Sequence, residues 1–306
     1  MIKKLYHFIV LFLIISTATC AYAVEPLMGT DRTVDARSLA LSGALRTAPS
    51  GGASVYINPA TMSMAHIYRV NMNYQFTGKD NLHDWGLVFL DSITSSRIGA
   101  GASLDYRRDS KDNKDFESWD ARLALSTAIG SNFFIGFTGR YIRAANDTKS
   151  SSVGPNGPNI MDKSDDIQAN GFTFDSGIAI KLGDMLKLGL TGYNLTNTDS
   201  VYAPIILGTA ISVNLMQMLF IETDIDIDFT SYKNVATTWT LGSEIIVHER
   251  YSFRAGYSHD FLNKIDRISA GLGFTGTRFA IDLGYKQDIQ FYKRFRLAFG
   301  IRIFVA

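Results

Sequence analysis

Residues 221–230 read IETDIDIDFT, with Glu222, Asp224, Asp226 and Asp228 on every second position and Ile221, Ile225, Ile227 and Phe229 between them. Four carboxylates so close in sequence suggest a divalent cation, for which carboxylate oxygens are good ligands. On an extended strand, however, alternate side chains stand ~6–7 Å apart and point the same way instead of converging. The spacing suits a row of ion pairs better than a metal site. The expected partners are arginines such as Arg254, Arg267 or Arg296 across a barrel, or the N-terminal segment. No metal and no cofactor is expected.

A second group with chemical potential is Ser258-His259-Asp260. A nucleophile and base this close would suggest a hydrolase. In a strand, Ser258 and His259 face opposite sides and cannot share a proton directly. The other histidines, His66, His83 and His248, fall near strand ends or in loops. The residues point away from an enzyme.

The elements that carry these residues are strands. Period-two alternation recurs from residue 67 to the end, with no amphipathic helix interrupting it. It predicts fourteen strands: 67–77, 85–90, 97–107, 117–128, 133–143, 170–181, 185–195, 205–213, 219–229, 236–248, 251–260, 267–275, 278–286 and 294–305. In the first, Val70, Met72, Tyr74 and Phe76 oppose Arg69, Asn71, Asn73 and Gln75; in the fourth, Trp119, Leu123 and Leu125 oppose Asp120, Arg122 and Ser126. Ten residues at ~3.3 Å each, tilted by ~40°, span about 25 Å, the height of the apolar band of a membrane barrel.

The connections sort by parity. Even-numbered ones are short, such as 129–132, 183–184 and 249–250. Odd-numbered ones are longer and polar, the longest running over 144–169. Short turns at one end and long loops at the other are the pattern of an outer-membrane barrel, and a sandwich has no reason to adopt it. The acidic row then faces the lumen and its isoleucines face lipid, because a charge at the bilayer midplane costs on the order of 2–4 kcal/mol for Lys or Arg and somewhat less for acids.

Composition agrees. Twenty-six glycines, 12% aromatics and six prolines accompany a mean hydropathy of +0.04, as expected when a polar lumen dilutes an apolar exterior. The start of the chain reads as a secretory signal peptide over 1–23, with Lys3 and Lys4, an apolar run from Phe8 to Ile15, and Ala21-Tyr22-Ala23 before the cut. Its removal takes Cys20, the single cysteine, and leaves 28 basic residues against 29 acidic. That balance excludes a basic nucleic-acid binder.

Residues 24–66 do not alternate and are rich in Gly and Pro. About forty residues exceed what a lead-in to the first strand needs, and in a barrel this wide such a segment can fold inward as a plug. The stretch DARSLALSGALRTAPSGGASVYINPATMSMA resembles the N-terminal signature of the FadL-like long-chain fatty-acid transporters and their PorV-like relatives. Ala53-Ser54 and Asn58-Pro59-Ala60 stand where those proteins carry a small-residue block and an Asn-Pro-Ala motif. The likeness covers about thirty residues, and the strand pattern extends it over the rest of the chain.

The resemblance implies an all-β fold, a 14-stranded antiparallel transmembrane β-barrel over 67–306 with a hatch, residues 24–66, inside the lumen. It implies passive, hatch-gated uptake of hydrophobic small molecules, with release through the wall beside an inward-kinked third strand. Here Gly99, Gly101 and Ser103 face inward on that strand, where glycine permits a kink; the competing reading is that small residues make room for the plug. The implied location is the bacterial outer membrane, with lipid and a hydrophobic ligand as partners. PorV-like relatives act instead as secretion scaffolds, and secretion-system proteins would then be the partners.

Overall fold

A computed structural model describes residues 35–48, 51–78, 81–95, 97–109, 116–145, 167–196, 202–216 and 218–305. The expected signal peptide, the segment 24–34 and most of the 144–169 connection lie outside the described residues.

Fourteen strands form one closed antiparallel barrel. They are β1 (Tyr68–Thr77), β2 (Leu82–Asp91), β3 (Ile98–Asp109), β4 (Glu117–Ile129), β5 (Phe133–Ala145), β6 (Ile167–Leu182), β7 (Leu186–Tyr193), β8 (Ile206–Leu215), β9 (Leu219–Asp228), β10 (Ala236–Val247), β11 (Tyr251–Asp260), β12 (Ile265–Thr275), β13 (Phe279–Asp288) and β14 (Phe295–Phe304). Each pairs with the next in sequence, and β1 closes on β14 from Arg69 opposite Phe304 to Thr77 opposite Arg296. Closure leaves no unpaired edge, as a hydrocarbon environment requires.

The period-two pattern has turned out as its chemistry demands. Leu123 and Leu125 on β4 are exposed on the outer face, while Ser126 is buried inside. Aromatic rings line the outside near the long-loop end, with Tyr74, Trp85, Tyr106 and Trp119 in successive contact at 5.8, 5.8 and 4.5 Å between centroids. Tyr251, Phe274 and Phe279 form a similar run at the short-turn end. These are the positions of interfacial girdles. Among the described residues no helix is long and apolar enough to cross a membrane.

Of the strand boundaries that differ from expectation, two show a local reason. The second strand begins at Leu82 and not at Trp85. His83 and Asp84 mask the pattern, yet His83 faces out and bonds the Tyr74 hydroxyl at 2.8 Å, and Asp84 faces in and pairs with Arg107. The seventh ends at Tyr193 and not Leu195, because Asn194 takes a positive φ of 52° that bends the chain.

The segment before β1 folds as two short helices, α1 (Ala36–Ala40) and α2 (Ser54–Ile57), with 3-10 turns at Gly51–Ala53 and Pro59–Met64. Asp35 caps α1, accepting from the Ser38 amide at 2.6 Å, while the Ser38 hydroxyl accepts from the Asp35 amide. These pieces lie against inward-facing residues of the barrel. Leu41, Leu45, Val55, Ile57 and Met62 cluster with the inward Val88, Leu90, Ala124 and Phe220.

Candidate functional site

The acidic row meets a cation from the N-terminal segment. Arg46 is buried, and its Nη1 donates to Asp224 Oδ2 at 2.8 Å, its Nη2 to Asp226 Oδ1 at 2.7 Å and its Nε to Thr191 Oγ1 at 2.7 Å. Its backbone amide and that of Thr47 donate to the buried Glu222 carboxylate. One forked guanidinium thus bridges two carboxylates that the strand spacing keeps apart. Burial works against the Arg46 charge, but Asp226 and Asp224 outweigh it and hold the group's pKa above its ordinary value. Asp228 does something else: it accepts from the amides of Thr230 and Ser231 at 3.0 and 2.9 Å and shapes the turn after β9.

Two of the arginines expected to pair with the row are engaged elsewhere. Arg254 binds Glu244 and Asp282 at 2.6 and 2.8 Å, and Arg267 binds Asp288 at 3.2 Å. They sit on β11 and β12, and their partners lie on neighbouring strands or one strand beyond. Among the described residues no group of three or more His, Cys, Asp or Glu is arranged to hold a metal ion.

Asn58 is fully buried. Its Nδ2 donates to the Arg46 carbonyl at 2.9 Å and to the Ile178 carbonyl on β6 at 3.1 Å; its Oδ1 accepts from the Ala60 amide at 3.1 Å. It therefore joins both parts of the segment to the wall and caps the turn that Pro59 begins. Glycines in the wall make this approach possible. A Cβ at Gly136 would lie 2.4 Å from the Ala60 nitrogen, and one at Gly177 would lie 2.0 Å from Asn58 Oδ1.

The third strand contributes the same kind of clearance. A Cβ at Gly99 would come within 3.0 Å of the Met62 backbone, and one at Gly101 within 2.6 Å of Val55 Cγ2; Ser103 is buried beside them in the same inward series. The strand pairs in unbroken register with β2 from Leu82–Asp109 to Asp91–Ala100, and with β4 from Ile98–Thr127 to Arg108–Glu117.

Above the segment, toward the long-loop end, the inner wall is charged. Asp120 accepts from Arg122 and Arg140, and Arg140 Nη1 donates to Asn194 Oδ1 at 2.7 Å. Asn194 also donates from its amide to Asp175 at 2.7 Å and from Nδ2 to the Pro204 carbonyl at 2.7 Å. Tyr56 of α2 reaches up and donates to Asp105 Oδ1 at 2.8 Å, with Arg122 over its ring at 5.0 Å. Burial, and then the Asp105 charge, push the Tyr56 pKa well up, so its hydroxyl stays a donor. Nearer the loops the wall turns apolar again, where Leu82, Phe116, Ile142, Ala144, Ala169 and Ala203 form a buried cluster.

Ser258 and His259 face opposite sides. Ser258 is buried in the interior, and His259 Nδ1 lies 2.8 Å from Asp266 on the outer face of the next strand. Asp260 holds the turn after β11 by accepting from the amides of Leu262 and Asn263. Sequence reasoning missed Arg46, Tyr56, Asn194 and the glycine pair Gly136 and Gly177. Only Arg46 had a usable signal, as a lone cation in an apolar run that needs a buried acid.

No protein-family model and no curated protein sequence matches the chain. Solved structures do match it. The Ralstonia pickettii toluene transporter TbuX is 10% identical with a TM-score of 0.68, covering 90% of this chain and 99% of that one. The Pseudomonas putida toluene transporter TodX is 13% identical at 0.61, covering 94% and 99%. A Pseudomonas aeruginosa FadL homologue is 12% identical at 0.60, covering 92% and 99%. At such identities the likeness establishes a shared fold: the FadL-like barrel.

Proposed function

We propose that this barrel admits hydrophobic small molecules across the bacterial outer membrane, with the N-terminal segment as a hatch and with release through the barrel wall into lipid. The observation that carries the reading is the layered interior: an apolar cluster beneath the loops, a charged stretch of wall on β3–β6, and a segment packed across the space below. An open water-filled pore has no need of such a cluster. The shared fold with two toluene transporters and a FadL homologue supports the same reading.

Release into lipid follows from transfer energies. A hydrocarbon gains about 0.8 kcal/mol per CH₂ on leaving water, and a wall opening preserves that gain where an aqueous pore forfeits it. With β3 fully paired, release beside it requires its rungs to part. The segment buries at least five large apolar side chains, each contributing about 1.5–3 kcal/mol. Local rearrangement of the hatch is therefore far cheaper than its expulsion.

The test is uptake of a labelled apolar solute into vesicles that contain the purified barrel. Uptake no faster than in protein-free vesicles sinks the proposal. One observation favours a second reading, a scaffold that binds secretion-system proteins: Val235, Phe261, Ile289 and Tyr292 are exposed in connections at the long-loop end. Substituting these four by serine would then abolish partner capture and leave uptake unchanged.

A further inference from the structure

The charged stretch of wall has an imbalance that bears on what can pass it. Inward residues of β3–β6 stand on three successive levels. Gly101, Ala124, Thr138 and Asp175 face one another across the ladder; above them come Ser103, Arg122, Arg140 and Thr173, and then Asp105, Asp120, Ile142 and Gly171. Three carboxylates thus share this stretch of the wall, on β3–β6, with two guanidiniums.

Both guanidiniums are committed to the same acid. Arg122 donates to Asp120 through Nε and Nη2 at 3.0 and 2.9 Å, and Arg140 donates to it through Nε at 2.8 Å and to Asn194 through Nη1. Arg122 Nη1 is 3.8 Å from Asp175 Oδ2, too far for a hydrogen bond. The acceptors are in surplus. Asp105 Oδ2, Asp175 Oδ2 and Thr138 Oγ1 are buried without a hydrogen-bond partner, and the Asp175 and Thr138 side chains are almost wholly inaccessible.

An unsatisfied buried acceptor carries a full desolvation cost. A molecule that brings a donor removes that cost. One that brings a carboxylate adds a further acceptor where the nearby cations are already spent. We propose that this stretch of wall selects apolar molecules bearing a hydroxyl or amino head over those bearing a free carboxylate. The inference rests on the uptake reading and narrows its cargo, moving it from fatty acids toward alcohols, phenols and amines.

Three probes with one chain length separate the cases: 1-octanol, octylamine and octanoate, titrated calorimetrically into the full barrel in detergent. Octanol and octylamine are expected to bind about tenfold or more tightly than octanoate, the worth of one hydrogen bond to a charged group. Asp105→Asn and Asp175→Asn each replace a carboxylate oxygen by an amide donor and should bring the three affinities closer together. Should either fail to give the heat-modifiable gel mobility of a folded barrel, Thr138→Val supplies the readout by weakening octanol and octylamine more than octanoate. Octanoate binding as tightly as octanol, or an unchanged ratio in the variants, overturns the selectivity while leaving uptake intact. If no probe binds, the uptake reading fails and the selectivity with it.

Discussion

The side-chain amide of Asn58 donates to the backbone carbonyl of Arg46 at 2.9 Å, joining two stretches of the N-terminal segment twelve residues apart. The same amide reaches the Ile178 carbonyl, so a single group ties the segment to itself and to the wall of β6. Arg46 is in turn held by β9. Through Asn58 and Arg46 the segment is tied to both β6 and β9.

Replacing Asn58 with alanine removes three hydrogen bonds and leaves the Arg46 and Ile178 carbonyls with one partner fewer in a buried site. Each buried group left unsatisfied costs about 1–3 kcal/mol. The expected result is faster cleavage of the segment by added protease while the barrel keeps its heat-modifiable gel mobility. Unchanged cleavage would mean that the apolar cluster alone holds the segment.

Arg46→Met tests the second anchor. It leaves Asp224 and Asp226 side by side on β9 without their cation. Breaking a buried pair from one side costs about 3–5 kcal/mol, which should appear as a lower urea midpoint for the whole barrel. Adding Asp224→Asn to Arg46→Met should recover part of the loss, because one uncompensated charge disappears. A double variant no more stable than Arg46→Met would show that the lost contacts, and not the stranded charge, set the cost.

Gly177→Ala tests the close approach. The added methyl would sit 2.0 Å from Asn58 Oδ1, so either the wall or the segment must shift. The ladder holds the wall, and the segment should therefore give way. Single-channel recording in planar bilayers should detect this as ionic current through the variant, against a nearly silent native barrel. Gly139, on the outer face of β5 with no contact closer than 3.9 Å, is the control, and Gly139→Ala should conduct no more than the native chain.

The barrel was legible because its signal is repeated fourteen times. The alternation of Ile221 to Phe229 with four acids says which face meets lipid, and ladder closure needs nothing more from sequence. Where a strand's polar residues lie on both faces, as with His83 and Asp84, alternation fades, and the pairing that explains them joins residues distant in sequence. The interior was less legible for the same reason. Asn58 stands out beside a proline, but its partners are 12 and 120 residues away. The glycines that admit it, Gly136 and Gly177, are indistinguishable in sequence from the chain's many others. For Gly99 and Gly101, alternation supplied the inward face, and only the positions of Met62 and Val55 reveal what fills the space they leave.

The partition on which all of this rests has its own test on β4. Leu123 is exposed on the outer face near the middle of the strand, while Arg122 beside it points inward and bonds Asp120. Leu123→Arg puts a guanidinium at the same height but in hydrocarbon. A lipid-facing arginine near the midplane costs about 2–4 kcal/mol, so the variant should unfold at lower urea from lipid bilayers than the native chain. Leu123→Ala removes only contact with lipid and should cost less. In detergent micelles, where water reaches the side chain more easily, the arginine penalty should shrink. Equal stability of Leu123→Arg and Leu123→Ala in bilayers would mean that this face does not meet lipid, and the assignment of inside and outside would fall for every strand.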